Sequence, residues 1–150
     1  MTSEPQTLDP APKVRAKPDG VFSLSELRRN PPAPVEFLVP DLIPMGLTLL
    51  AAKPKIGKSY LALQLCLAVA TGDSFLDEEA RRGDVLYLSL EDNRSRLYSR
   101  SLAMEEGESG ESDIDFMMEA PRAGSGLLEV LEEWLDAVDD PRLIVIDTMA

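Results

Sequence analysis

The stretch Ala52-Lys-Pro-Lys-Ile-Gly-Lys-Ser59 constrains this chain more than any other. It reads A-x-x-x-x-G-K-S, one residue away from the phosphate-binding pattern G-x-x-x-x-G-K-[ST]. A strand-sized apolar run, Leu47-Thr-Leu-Leu-Ala51, precedes it, and a helix-sized one, Tyr60 to Ala70, follows. Where a strand turns directly into a helix, the first backbone N–H groups of the helix have no partner inside it. Those amides converge on whatever sits at the turn, and the helix dipole adds partial positive charge there. A surface turn rich in Lys, Pro and Gly is the plainer reading of G-K-S alone. The flanking strand and helix favour the anion receptor.

Each residue type in the loop has a physical reason. Gly57 lets the backbone come close to phosphate oxygens. Lys58 is expected to reach the β- and γ-phosphates as a point charge. The Ser59 hydroxyl is expected to hold Mg²⁺, which keeps most of its waters and takes one or two protein oxygens. Lys53 and Lys55 add positive charge to an otherwise acidic chain. The candidate nucleotide-binding residues are Ala52, Lys53, Pro54, Lys55, Ile56, Gly57, Lys58, Ser59 and Tyr60, with ATP and Mg²⁺ as the implied ligands. Ala52 stands where the pattern has its first Gly. A positive φ there would make its Cβ costly, whereas a negative φ would make it harmless.

The rest of the chain reads as alternating strands and helices. Residues 1–20 are Pro-rich and poor in large apolar side chains, and are expected to be disordered. Ser23-Leu-Ser-Glu26 fits a capping box for a short helix over Leu24 to Arg29, ended by Asn30-Pro-Pro-Ala-Pro34. Residues 21–46 form a lead-in, and residues 47–150 the main domain. Leu47 to Ala51 is expected to be the first core strand. A helix apolar nearly all round runs from Lys58 to about Thr71, and Val85 to Leu90 is a strand covered on both faces. Asp92 or Asn93 can cap a polar helix reaching about Leu102. Ile114 to Met118 is a possible short strand. Leu127, Leu128, Leu131, Trp134, Leu135 and Val138 recur at helical spacing, with Trp134 in the core. Leu143 to Ile146 is a strand ending at Asp147. Such alternation predicts an α/β fold with a mostly parallel sheet flanked by helices, its ligands beyond the C-terminal ends of the strands.

Composition narrows the chemistry. The chain has 150 residues and a formal charge of −12, enough length for one core and the wrong sign for a broad nucleic-acid surface. The acidic run from Glu105 to Glu119 reads as a solvated loop. There is no histidine, so imidazole catalysis and His metal sites are excluded. The single cysteine, Cys66, cannot form an internal disulfide and reads as a small buried hydrophobe. No apolar run is long enough to span a bilayer, so a soluble cytoplasmic protein without membrane contact is expected.

Two acids complete the candidate site. Asp147 ends the apolar strand L-I-V-I-D, the place of a Walker B aspartate that holds Mg²⁺ through water, opposite Ser59. Glu91 follows V-L-Y-L-S-L and would lie on the same sheet edge, where a carboxylate can orient and deprotonate a water. A helix-capping role is the alternative for Glu91, and Asp92 is its neighbouring rival. Arg94, Arg96 and Arg100 read as solvated helix positions, with a subunit-bridging role open. The catalytic candidates are therefore Glu91 and Lys58, and the metal candidates Ser59 and Asp147.

Taken together, AKPKIGKS, a strand ending at Glu91 and a strand ending at Asp147 resemble the RecA-like P-loop ATPases. LIPMGLTLLAAKPKIGKSYLALQLCLAVATGD, VLYLSLEDN and PRLIVIDT are most similar to the AAA-type ATPases related to the RepA plasmid replicative helicases. The resemblance runs from about Val39 to Thr148. It implies ATP hydrolysis with Lys58 and Ser59 on phosphate and Mg²⁺, Glu91 as the catalytic glutamate and Asp147 as Walker B. It also implies self-association as a hexameric ring or filament, a neighbour's arginine or lysine at the site, and DNA contact through later segments. The sequence stops three residues after Asp147, so it reads as the N-terminal portion of such a protein, truncated after the Walker B strand. In RecA-like folds a later strand lies between the Walker A and Walker B strands. An open slot is therefore expected between residues 47–51 and 143–147, and direct pairing of the two would refute that topology. The rival readings are a nucleotide-binding regulatory or adaptor module without motor activity and, less favoured, a small-molecule kinase.

Overall fold

The computed structural model describes residues 18–104 and 114–147. Most of the N-terminal tail expected to be disordered and residues 105–113 of the acidic run lie outside the described residues. The chain divides into two units between Pro34 and Val35.

In the first unit, α1 (Leu24–Arg29) begins on the expected capping box. Ser23 Oγ accepts from the Glu26 N–H, and the Glu26 carboxylate accepts from the Ser23 N–H. The helix ends at Asn30, before the prolines.

The second unit is built on a three-stranded parallel sheet. Its order is β6 (Ile114–Met117), β5 (Asp84–Ser89), β7 (Pro141–Asp147). β5 is central and buried from Val85 to Ser89, which explains its nearly unbroken apolar run. Side chains alternate between the two faces. Val85 and Tyr87, with Leu143 and Val145, pack against α2 (Lys58–Thr71) and Leu97 of α3 (Arg94–Met104). Leu86 and Leu88, with Ile144 and Ile146, pack against Leu127, Leu131 and Trp134 of α4 (Leu127–Ala137). Helices thus cover both faces of the sheet. Burying a Val- or Leu-sized side chain contributes about 1.5–3 kcal/mol. Trp134 joins the second cluster and donates Nε1–H to Asp115 Oδ2 at 2.7 Å, so its polar edge is satisfied as well.

Two short antiparallel hairpins accompany the sheet: β1 (Phe37–Val39) with β2 (Ile43–Pro44), and β3 (Ser74–Phe75) with β4 (Glu78–Glu79). They bring Leu38, Val39 and Phe75 into the α2-side core.

One expected element is absent. Residues 47–51 form no strand, and Leu47, Leu49 and Leu50 are exposed at 101, 85 and 50 %. A strand's hydrogen bonds come from a neighbouring strand, and none of the described strands pairs with this segment. Composition alone therefore does not make it β-structure. Among the described residues β7 pairs with β5, and no ladder joins it to residues 47–51.

Candidate functional site

The polarity of α2 decides where its amides point. At its C-terminal end Gly72 takes a left-handed cap with φ 80°, its N–H bonded to the Ala68 carbonyl. Gly83, just before β5, donates its N–H to the Val69 carbonyl at 3.1 Å. The end of the helix therefore lies at the start of the strand. α2 has 14 residues and β5 has 6. At ~1.5 Å and ~3.3 Å per residue, both span about 20 Å. The N-terminus of α2 consequently sits at the end of the sheet where β5 and β7 finish, the end that carries Glu91 and Asp147.

The loop into α2 has the backbone of an anion receptor. Lys55 and Gly57 take φ values of 64° and 100°, with Ile56 at negative φ between them. Alternation of this kind turns successive N–H groups toward one point. A lysine in the left-handed region costs about 1–2 kcal/mol, a strain that recurs at binding loops. Ala52 has a negative φ, so its Cβ causes no strain and the missing glycine is harmless. Gly57 is the N-cap and no side chain caps the helix, and no acidic residue occupies its first turn. α4 also starts on an uncapped glycine, Gly126, but has Glu129 in its first turn. Among the described helices, only α2 starts without a side-chain cap or a first-turn acid and with lysines beside it. Lys58 Nζ donates to the carbonyls of Ala52 at 2.9 Å and Lys53 at 3.2 Å, closing residues 52–58 into a ring. Ser59 is partly buried on the first turn, and Tyr60 is exposed.

At the strand ends, Leu90 N–H donates to the Asp147 carbonyl at 2.8 Å. Asp147 lies on the α2 face of β7, in register with Ser89. Its Oδ2 accepts a hydrogen bond from the Tyr87 hydroxyl at 2.7 Å. Burial, and then this bond, raise the Tyr87 phenol well above its ordinary pKa, so it stays a donor. Burial likewise pushes the Cys66 thiol up, which makes it inert packing, as its sequence context suggests.

The two rival acids separate cleanly. Asp92 is largely buried and ion-paired with both Arg96 and Arg100 of α3. Arg100 is therefore not a merely solvated position but ties α3 to the strand–helix turn, while Arg96, 69 % exposed, stays largely in water as expected. Asn93, rather than Asp92, caps α3, accepting the Arg96 N–H at 2.9 Å. Glu91 is exposed and takes no part in this clamp. Arg94 is exposed and lines a cavity of about 330 Å³ with Leu97, Tyr98, Ser101, Phe116 and Met118, none of them a candidate site residue. The Tyr87–Asp147 bond and the Asp92 clamp were not foreseen from sequence. A lone tyrosine in an aliphatic central strand was the available signal, since a buried hydroxyl needs a partner.

The donor set suits a hydrated Mg²⁺. Among the described residues no three His, Cys, Asp or Glu side chains cluster to form an all-protein metal cage. One hydroxyl, Ser59, and one carboxylate, Asp147, at the same end of the sheet are a donor set that fits an ion held mostly by water and phosphate.

A receptor loop feeding a helix, on a parallel sheet with helices on both faces, is compatible with the fold of a P-loop NTPase. A sequence profile for the AAA domain matches residues 11–150, and the chain belongs to that family. An AAA domain is a nucleotide-binding, ATPase-type module. No solved structure matches the chain. Among the described residues no helix is long and apolar enough to cross a membrane.

Proposed function

We propose that this chain binds Mg·ATP at residues 52–60 and hydrolyses it, as a RecA/RepA-like AAA ATPase serving DNA replication or recombination in the cytoplasm. One observation carries the reading: α2 runs antiparallel to β5, so its uncapped N-terminus shares a sheet end with Glu91 and Asp147. Backbone amides from Lys55 to Ser59 cradle phosphate oxygens, and the Lys58 ammonium neutralises the β- and γ-phosphates. Ser59 Oγ and, through water, Asp147 hold the metal. Bound Mg²⁺ supplies charge neutralisation on the phosphates. Glu91 orients the attacking water and accepts its proton, while Asp92, tied to two arginines, holds the turn that presents Glu91. Self-association as a hexameric ring and DNA contact through further segments belong to the same reading. Titration with a fluorescent ATP analogue tests it: the unmodified chain should bind, and Lys58→Ala should bind roughly 10- to 100-fold more weakly, the loss of one charge-assisted contact. Equal affinities would remove the loop from the site.

A further inference from the structure

Tyr87 is 1 % exposed. It packs within the α2-side core, and its ring lies 5.9 Å from that of Phe116, centroid to centroid. Its register partner on β7 is Val145, so the side chain runs two residues along the face to reach Asp147. A Phe would fill the same space but donate nothing, and a Ser or Thr would stop short. The main chain of Asp147 is held by the Leu90 N–H, from the residue directly after β5. Asp147 is thus gripped twice from this side, at the backbone by Leu90 and at the carboxylate by Tyr87.

We propose that Tyr87 is a positioning residue, whose hydroxyl fixes the rotation of the Asp147 carboxylate so that it faces the hydrated Mg²⁺. The inference rests on the reading of Asp147 given above and adds a residue that loop and strand-end motifs do not contain. Partners behind a metal-holding carboxylate set its orientation, and removing one typically costs about 10- to 100-fold in metal affinity. The bond is charge-assisted and sits in a packed core, so the ring cannot swing away without vacating its place.

The test titrates Mg²⁺ against chain carrying a fluorescent ATP analogue. Tyr87→Phe should leave metal-free nucleotide affinity unchanged and raise the Mg²⁺ concentration for half-maximal tightening roughly 10- to 100-fold. Adding Tyr87→Phe to Asp147→Asn should move the midpoint no further. An unchanged midpoint in Tyr87→Phe, with a normal Mg²⁺ response in the parent chain, overturns the positioning role while leaving the site reading intact. Nucleotide binding by the parent chain with no Mg²⁺ response sinks both. Should Tyr87→Phe fail to fold, the parent chain can be labelled with 3-fluorotyrosine and followed by fluorine NMR. The chain has three tyrosines, so the Tyr87 signal is assigned with Tyr60→Phe and Tyr98→Phe. That signal should shift with Mg²⁺ at the midpoint of nucleotide tightening, and a signal that stays put overturns the proposal.

Discussion

The Gly83 N–H and the Val69 carbonyl meet at 3.1 Å, joining the last turn of α2 to the approach of β5. The contact is tight on its other side too. A Cβ on Gly83 would fall 2.6 Å from the Asp140 carbonyl oxygen and 2.0 Å from Arg142 Cγ. The side chain could yield, but the backbone oxygen cannot without moving the turn before β7. That turn is itself tied to β5, since Asp84 and Asp140 exchange two hydrogen bonds of 2.8 Å. Gly83→Ala is therefore expected to lower stability by about 1–3 kcal/mol, the usual cost of overpacking. Urea denaturation checks this, and an unchanged midpoint would show that the turn has slack.

The two ends of the proposed phosphate loop should respond unequally to exchange of Ala and Gly. Ala52 has a negative φ, so Ala52→Gly restores the usual motif without relieving strain. Nucleotide affinity should stay within about twofold, and stability should fall by no more than ~1 kcal/mol from added backbone freedom. Gly57 sits at φ 100° with open space where a Cβ would go. Gly57→Ala is thus penalised by backbone conformation rather than by collision, at about 1–2 kcal/mol. Part of that cost should appear as weaker ATP-analogue binding. Isothermal titration of both variants distinguishes the two positions.

Glu91 and Asp92 are neighbours with different surroundings, one exposed and one ion-paired, and the roles proposed for them should separate in their amide variants. Glu91→Gln should keep ATP binding and melting temperature while slowing turnover roughly 10²- to 10⁴-fold, the usual share of a general base. Asp92→Asn removes the charge that Arg96 and Arg100 share. It should lower the melting temperature and reduce turnover only indirectly. Phosphate-release assays alongside thermal melts measure both. Unchanged turnover in Glu91→Gln would take that residue out of the mechanism.

The elements that the sequence made legible are those whose partners are local or whose pattern is strong. The capping box at Ser23 and Glu26 is self-contained within four residues. The helical spacing of Leu127, Leu131 and Trp134 and the aliphatic run of β5 and β7 leave little choice. Residues 47–51 look the same on paper as β7, but strand formation depends on a neighbour that composition does not reveal. The β3–β4 hairpin was hidden for a different reason. Its two-residue loop is Leu76-Asp77, with φ values of 50° and 70°. Such turns normally advertise themselves with Asn-Gly or Asp-Gly, and a leucine there gives no warning. The candidate residues 52–60, Glu91 and Asp147 were legible as motifs. What they touch was not, because the Tyr87–Asp147 bond spans 60 positions and depends on strand register.

The exposed leucines before the loop make a separate prediction. Leu47 and Leu49 are almost wholly in water, so replacing both with Ser should change the melting temperature little, within about 0.5 kcal/mol of stability. It should also reduce self-association, since an unpaired apolar run is prone to strand pairing between molecules. Light scattering at rising protein concentration tests this, and a large loss of stability would mean that the leucines are packed in solution.

α2 is pinned at one end by Gly83 and delivers Ser59 at the other. It works as a ruler whose graduation is the residue. Changing a side chain leaves its length alone, whereas inserting or deleting a residue between Tyr60 and Ala68 would swing Ser59 by about 100° around the axis and shift it by ~1.5 Å. Evolution can repaint this helix freely on its watery side, at Gln64 for instance, but can hardly re-cut it.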